Sequence, residues 1–286
     1  MSRAAGAALR FEDRDEVEDI EIRLLLEGIN LRYGYDFREY ALNPVRRGIQ
    51  TAMAREQVRT VSAYQERVLR DPASMQHFLS AVGVNVTSMF RDPELMRAVR
   101  QEVVPMLRTY PSARVWIAGC ATGEEVYGFA VLLAEEGVLE RCTIYATDLN
   151  QQMLDVARSG TYSLEKVRRY DDAYRQAGGP GSLSDHYSVA GRNASFDRSL
   201  QKGVTWTAHN LATDSSFNDF HLVVCANVLI YFREALQARA HRLIYDSLVR
   251  GGYLAMGSRE SLINCPEQGH YEQVRDGVNL FRKLRW

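Results

Sequence analysis

The chain has 286 residues, of which 46% are hydrophobic and 25% are charged, an ordinary balance for a globular protein with a sizeable core. Its 35 Lys and Arg residues nearly equal its 36 Asp and Glu residues, so net charge gives no reason to expect a nucleic acid partner. The sequence shows neither an apolar leader nor an uncharged apolar run near the roughly 20 residues that a membrane span requires, so we expect a cytoplasmic protein without direct membrane insertion.

The N-terminal third is predicted to be helical. Residues 1–15 are expected to form a flexible lead-in, and residues 16–107 a helical N-terminal domain and linker. Val17, Ile20 and Leu24 recur at helical spacing, followed by Leu25 and Ile29. Three pairs resemble a helix start, with a capping residue before a proline at the first helical position: Asn43-Pro44, Asp71-Pro72 and Asp92-Pro93.

From Pro111 onward, short apolar runs alternate with helical segments, which indicates a doubly wound parallel α/β sheet. Predicted strands cover 114–118, 142–147, 204–208, 221–225 and 253–256, and predicted helices cover 124–134, 150–157 and 235–248. Gly251-Gly252 is expected to end the last helix, and Asp276-Gly277 predicts an antiparallel C-terminal hairpin. Residues 108–286 form one predicted domain. Residues 162–202 interrupt it as an inserted subdomain with some β-structure, the alternative being a long surface loop.

The loop after the first predicted strand contains Gly119, Gly123, Glu124 and Glu125. It joins a strand to a helix N-terminus, where open α/β sheets bind ligands, and its glycines allow close backbone approach. Dinucleotide-binding loops use a third glycine to present bare amides to a pyrophosphate. Two carboxylates here would repel a pyrophosphate and suit a sulfonium and an ammonium group. One glutamate could instead only stabilise the helix N-terminus.

Asp148 closes the second predicted strand. A carboxylate at this position of a nucleotide-binding sheet accepts hydrogen bonds from both ribose hydroxyls. An aspartate that only stabilises a strand-end turn is the alternative.

Four sequence blocks stand out: 85–93 (NVTSMFRDP), 119–125 (GCATGEE), 146–150 (ATDLN) and 225–232 (CANVLIYF). Together they resemble the CheR family of chemotaxis-receptor glutamate methyltransferases, over nearly the whole chain from about Ile22. The resemblance implies a small all-α N-terminal domain, a class I methyltransferase (Rossmann-like) domain and a β-subdomain inserted within it. The sequence departs from the family pattern at Ala226, Val126 and Ser258-Arg259, where Arg, Pro and His-Ser are usual.

The resemblance also implies which residues contact S-adenosylmethionine, or S-adenosylhomocysteine as the product. By matching position these are Asn85, Thr87, Arg91, Gly119, Glu125, Asp148, Asn210, Leu211, Asn227 and Val228. Two residues are catalytic candidates. Arg91 is expected to position the substrate carboxylate or the cofactor, with a salt bridge to Glu94 as the alternative. Tyr231 is expected to lie by the transfer site, with a core aromatic as the alternative.

The implied reaction needs alignment rather than a general base. A glutamate side chain has a free pKa of about 4.3 and is a carboxylate at neutral pH, so the site must mainly align it with the methyl group and exclude water. The sequence contains no HExxH or GxSxG motif and no evident Cys/His dyad, and no metal site is predicted from the spacing of its histidines and cysteines. Two rivals remain open: a catalytically weak S-adenosylmethionine-binding signalling scaffold, suggested by Ala226, and a dinucleotide oxidoreductase.

The expected partner is a protein substrate, either the cytoplasmic helices of a chemoreceptor or another signalling protein. In the family, a basic helix near residues 44–61 faces acidic receptor helices. A helix from Pro44 to Val61 would carry an apolar stripe of Val45, Ile49, Ala52 and Met53, and an opposite basic face of Arg47, Arg55 and Arg59, with Arg46 at its edge. A solvated polar face is the alternative.

Overall fold

The computed structural model describes residues 14–83 and 87–284, and for Arg14 and Asp15 the backbone alone. Asn85 and most of the predicted lead-in lie outside these ranges. The chain divides into two compact units between Val82 and Gly83. Within the described ranges, no helix combines the length and apolarity that crossing a bilayer requires.

The first unit is built of helices around an apolar core. They are α1 (Arg14–Tyr33), α2 (Leu42–Arg55), α3 (Val61–Arg70) and α4 (Pro72–Val82). Ile22, Leu25 and Ile29 of α1 are fully buried. Val17, Ile20 and Leu24, whose spacing also predicted this helix, are instead exposed. The helix therefore carries apolar residues on two faces, one buried and one exposed.

The bounds of α2 differ from the prediction at both ends. The helix begins at Leu42, so Pro44 lies within its first turn, where a missing N–H breaks no helical hydrogen bond. The helix ends at Arg55 because the next residues leave helical geometry, with Gln57 at φ 56. The expectation of a helix through Val61 was therefore wrong.

The second unit contains a seven-stranded sheet in the order β6-β2-β1-β7-β8-β10-β9. The first five strands in this order are parallel, and β10 is antiparallel to both of its neighbours. This order confirms the predicted doubly wound sheet with an antiparallel C-terminal hairpin. The strands of the unit are β1 (Ala113–Ala118), β2 (Cys142–Asp148), β3 (Thr161–Ser163), β4 (Tyr187–Ala190), β5 (Asn193–Phe196), β6 (Val204–Ala208), β7 (Phe220–Cys225), β8 (Leu248–Met256), β9 (Tyr271–Gln273) and β10 (Leu280–Lys283).

Helices precede and connect these strands. They are α5 (Pro93–Ala98), α6 (Val104–Arg108), α7 (Glu124–Glu135), α8 (Gln151–Ser159), α9 (Leu164–Arg168), α10 (Asp171–Gln176) and α11 (Glu234–Ser247), with a π-helical segment (Val99–Val103) between α5 and α6. The side chain of Asn150 accepts a hydrogen bond from the Gln152 amide and caps α8. β7 is buried along its whole length, and its residues are apolar except for His221.

The insertion between α8 and β6 forms a small antiparallel sheet in the order β3-β5-β4. The prediction of an inserted β-subdomain is confirmed, and the long-loop alternative is not. The sequence did not reveal that α9 and α10 also belong to this subdomain.

Gly251-Gly252 does not end a helix. Helix α11 already ends at Ser247, and both glycines lie inside β8. The register between β7 and β8 shifts between Phe220 and Leu222, and Gly251 has φ 77. A local bulge of this kind favours glycine, which explains why a strand contains a pair that resembles a helix stop.

Candidate active site

The site lies where the strand order of the large sheet reverses. β2 and β6 continue the sheet on one side of β1, and β7 and β8 continue it on the other. The loops that follow β1, β2, β6 and β7 all leave from carboxyl ends at the same sheet edge. Open α/β sheets bind their ligands in this crevice.

A small cleft lies at this edge. Its lining comprises Thr87, Ser88, Arg91, Gly119, Ala121, Glu125, Ala226 and Asn227. The structure thus brings five of the predicted site residues together: Thr87, Arg91, Gly119, Glu125 and Asn227.

The loops after β1 and β7 touch at Gly119. This residue has φ 71, and a Cβ added to it would lie 2.5 Å from a methyl carbon of Val228. The predicted site residue Val228 therefore packs directly on the glycine. Both the backbone conformation and the close approach require glycine here.

Asp148 organises the loop after β1 from the end of β2. Its Oδ2 accepts a hydrogen bond from the Ala121 amide at 2.8 Å, and its Oδ1 accepts one from the Asn150 amide at 2.8 Å. Burial raises the pKa of Asp148, while these amide hydrogen bonds lower it. A carboxylate has about four acceptor positions, so Asp148 keeps acceptor capacity for a ribose hydroxyl.

The two glutamates that open α7 have different environments. Glu124 is fully buried; its carboxylate accepts a hydrogen bond from the Thr122 hydroxyl at 2.6 Å and forms an ion pair with Lys166 of the insertion. Glu125 is half-buried and lines the cleft. One glutamate therefore braces the loop, and the other faces the space where a ligand would lie.

The electrostatic setting of Glu125 suits a cation. Burial, as the largest cause, and the nearby carboxylates of Glu260 and Asp92 together raise the pKa of Glu125 to about 8, although Arg91 lowers it. A ligand with a positive charge would restore the ionised form. Glu125, which lines the cleft, thus lies near two further carboxylates and one arginine.

The remaining predicted residues of this unit lie around the cleft. Asn210 and Leu211 follow β6 at the same sheet edge as Asp148, since the His209 amide donates to the Asp148 carbonyl at 3.1 Å. The described lining of the cleft does not include them. Tyr231 is half-buried at the end of the short turn Leu229–Tyr231, which follows the loop after β7.

The basic residues proposed for substrate binding belong to the first unit. Arg47 and Arg55 are exposed on α2, and Arg59 is exposed beyond its end. Arg46 forms ion pairs with Glu18 and Asp19 of α1. The predicted apolar stripe of Val45, Ile49 and Ala52 is buried, and Met53 is partly buried.

Glu260 is a buried carboxylate to which the sequence-based prediction gave no role. It follows β8 and accepts hydrogen bonds from backbone amides of the loop after β7. Its partners lie 31 to 33 residues away in sequence, so local patterning gave no signal for the contact. Among the described residues, no group of three or more His, Cys, Asp or Glu is arranged to hold a metal ion.

Both units match models of one protein family. Residues 20–82 match the CheR methyltransferase all-alpha domain, and residues 85–278 match the CheR methyltransferase SAM-binding domain. The sheet order, the cleft and these matches define an S-adenosylmethionine-dependent methyltransferase. The chain belongs to the CheR methyltransferase family, and its cofactor is S-adenosylmethionine.

Named relatives are similar over most of their length. The chain is 49% identical over 265 residues to a methyltransferase of Pseudomonas putida named Cher3, an alignment that covers 93% of this chain and 97% of that protein. It is 29% identical over 253 residues to chemotaxis protein methyltransferase 1 of Pseudomonas aeruginosa, covering 82% and 86% of the two chains. It is 27% identical over 238 residues to the chemotaxis protein methyltransferase of Listeria innocua, covering 82% and 88%.

Proposed function

We propose that this protein transfers the methyl group of S-adenosylmethionine to glutamate side-chain carboxylates of a protein substrate, giving glutamyl methyl esters. The observation that carries the proposal is the arrangement of charge in one cleft, where Glu125 suits a cationic donor and Arg91 suits an anionic acceptor. The names of the relatives as chemotaxis protein methyltransferases support it.

The donor side of the proposal assigns each strand-end loop a part of the cofactor. When bound, S-adenosylmethionine supplies an electrophilic methyl group on a positively charged sulfur. Glu125 would bind the ammonium of the methionine part, Asp148 the ribose hydroxyls, and Asn210 with Leu211 the adenine end. Gly119, Thr87, Asn227 and Val228 would form the walls. The contact assigned to Asn85 stays a prediction.

The acceptor side of the proposal depends on Arg91 and Tyr231. A carboxylate acceptor arrives already ionised, so these residues need only position it. Arg91 lines the cleft and would orient the incoming carboxylate. A tight bidentate pair would reduce its nucleophilicity, so we propose a looser contact. Tyr231 would border the point of transfer.

For the substrate, we propose the cytoplasmic helices of a chemoreceptor, or another signalling protein, and hence a cytoplasmic location. The exposed Arg47, Arg55 and Arg59 would attract acidic helices. In this proposal residues 16–107 contribute the contacts with the protein substrate, and within this range Thr87 and Arg91 also line the cleft. Residues 108–286 contribute the other contacts with the cofactor.

The proposal is tested with purified protein, methyl-labelled S-adenosylmethionine and two fractions of the source organism, membranes and soluble proteins. We expect label to enter protein and to leave as volatile methanol after mild alkali, because carboxyl methyl esters are base-labile. Label in the membrane fraction would support a chemoreceptor, and label in the soluble fraction another signalling protein. Cofactor binding without base-labile label in either fraction would favour the scaffold alternative.

A further inference from the structure

A single buried carboxylate supports the loop after β7. Glu260 is 7% exposed. Its Oε1 accepts hydrogen bonds from the amides of Val228 at 2.9 Å and Leu229 at 2.8 Å. Its Oε2 accepts hydrogen bonds from the amides of Asn227 at 2.8 Å and Gly257 at 2.9 Å. Four backbone donors therefore saturate one side chain.

The loop conformation makes this possible. Asn227 is left-handed with φ 61, and Val228 follows with φ −111 and ψ −51. Successive amides in such a turn point into one concavity that binds an anion. Here the bound anion is the side-chain carboxylate of Glu260. Its hydrogen bonds offset the cost of a left-handed residue other than glycine.

The backbone turn that carries Glu260 is held by the C-terminal hairpin. Gly257 and Glu260 close a tight turn, with the Glu260 amide donating to the Gly257 carbonyl at 2.9 Å. The side-chain amide of Asn279 donates to the carbonyls of Gly257 at 2.8 Å and Glu260 at 2.7 Å. A continuous set of hydrogen bonds thus runs from the hairpin to the wall of the cleft.

That wall is sensitive to small displacements. Asn227 lines the cleft directly, and Val228 lies against Gly119, where even one added methyl group would overlap it. If the amides of Asn227 and Val228 lost their common acceptor, the loop would relax toward either the glycine or the open space.

We propose that Glu260 is a positioning residue for the cofactor: its carboxylate fixes the loop from Ala226 to Leu229 in the shape that contacts S-adenosylmethionine. This inference rests on the proposal that the cleft lined by Asn227 seats the cofactor. Glutamine cannot replace the carboxylate, because its single oxygen would serve at most part of the donors and its NH₂ group would face the others.

The test compares Glu260→Gln and Glu260→Asp with a control, Glu267→Gln. Glu267 is an equally buried carboxylate, 3% exposed, that pairs with Arg242 away from the cleft. Calorimetric titration with S-adenosylhomocysteine should show a Kd raised about 10- to 100-fold for Glu260→Gln, the loss expected from one or two charge-assisted hydrogen bonds. Glu260→Asp should recover part of the affinity because it keeps the charge, and Glu267→Gln should match the wild type. In turnover, KM for S-adenosylmethionine should rise with kcat little changed.

If the wild type binds S-adenosylhomocysteine and Glu260→Gln binds it with the same Kd, the inference about Glu260 is overturned but the proposed function is not. Equal weakening in Glu267→Gln would also overturn it, since the effect would be general destabilisation. A wild type that binds no S-adenosylhomocysteine would overturn the proposed function as well. If Glu260→Gln does not fold, Asn279→Ala is the variant to test. It removes the two hydrogen bonds that hold the turn from outside the cleft. We expect a Kd for S-adenosylhomocysteine raised about 3- to 10-fold. An unchanged Kd there would contradict the inference.

Discussion

The protonation of Glu125 should be coupled to cofactor binding. Its pKa, raised to about 8 by burial and by neighbouring carboxylates, leaves it mostly protonated at pH 7 in the cofactor-free protein. A cationic ligand favours the carboxylate, so binding should release a proton and affinity should rise as pH rises toward 8. Calorimetry at pH 7 in two buffers with different ionisation enthalpies measures the proton. The Glu125→Gln variant should bind the cofactor more weakly and release fewer protons. Proton release equal to that of the wild type would contradict the assignment of Glu125 to the cationic group.

The same side chain should destabilise the cofactor-free protein at alkaline pH. Folding raises its pKa from the ordinary 4.5 to about 8, so the folded state binds more protons than the unfolded state between these values. Stability is therefore lost as pH rises through this window. Thermal unfolding of Glu125→Gln should show a Tm advantage over the wild type that grows from pH 5 to pH 8. An advantage independent of pH would show that the carboxyl is not the cause.

Arg91→Ala should lower methyl transfer far more than it lowers cofactor affinity, because the guanidinium is assigned to the acceptor. The readouts are kcat for transfer and the Kd for S-adenosylhomocysteine. Arg97→Ala is a matched control, since this exposed arginine of the same segment donates to the Gln176 carbonyl instead of lining the cleft. Equal losses in transfer and affinity for Arg91→Ala would count against a role at the transfer site.

At the scale of elements, the site depends on two strand-end loops that approach each other closely. Gly119→Ala should weaken S-adenosylhomocysteine binding severely, because it adds a methyl group 2.5 Å from Val228 and forces alanine to φ 71. The double variant with Val228→Ala removes the overlap but leaves the backbone strain of about 1–2 kcal/mol. It should therefore recover only part of the affinity. No gain from the second change would mean that the two loops do not constrain each other.

The sheet was predictable because its central strands are buried and mostly apolar. β1 and β7 illustrate this, with one polar residue each, Arg114 and His221, and the loop glycines predicted a ligand site at the sheet edge where the cleft lies. Errors arose where one residue pair suits two local structures. Gly251-Gly252 resembles a helix stop but forms a bulge in β8, and Asn43-Pro44 lies inside a helix that begins at Leu42.

Contacts between distant segments were beyond local patterning. Glu260 and its amide partners in the loop after β7 are more than 30 residues apart, and the ion pair between Glu124 and Lys166 joins the start of α7 to the insertion. The sequence offered two equivalent acids at 124 and 125. Local patterning does not distinguish them; the family resemblance pointed to Glu125, and the fold shows that Glu124 braces the loop while Glu125 faces the cleft.

At the scale of the whole molecule, substrate capture should depend on the exposed basic residues of the first unit. Reversing Arg47, Arg55 and Arg59 to Glu should raise KM for the protein substrate and reduce the salt dependence of capture. The Kd for S-adenosylhomocysteine should not change. Reversing Arg23 and Arg32, which are exposed on α1, tests how far a change in net charge elsewhere on the unit reduces capture. If the triple variant captures the substrate as well as the wild type does, this basic surface does not bind the substrate.

The most direct test of glutamate methylation is to locate the transferred group. The protein is incubated with isotopically labelled S-adenosylmethionine and the captured substrate, and peptides are sequenced by tandem mass spectrometry before and after mild alkali. We predict label on glutamate side chains that disappears with alkali. Label on nitrogen or sulfur atoms that survives alkali would contradict the account.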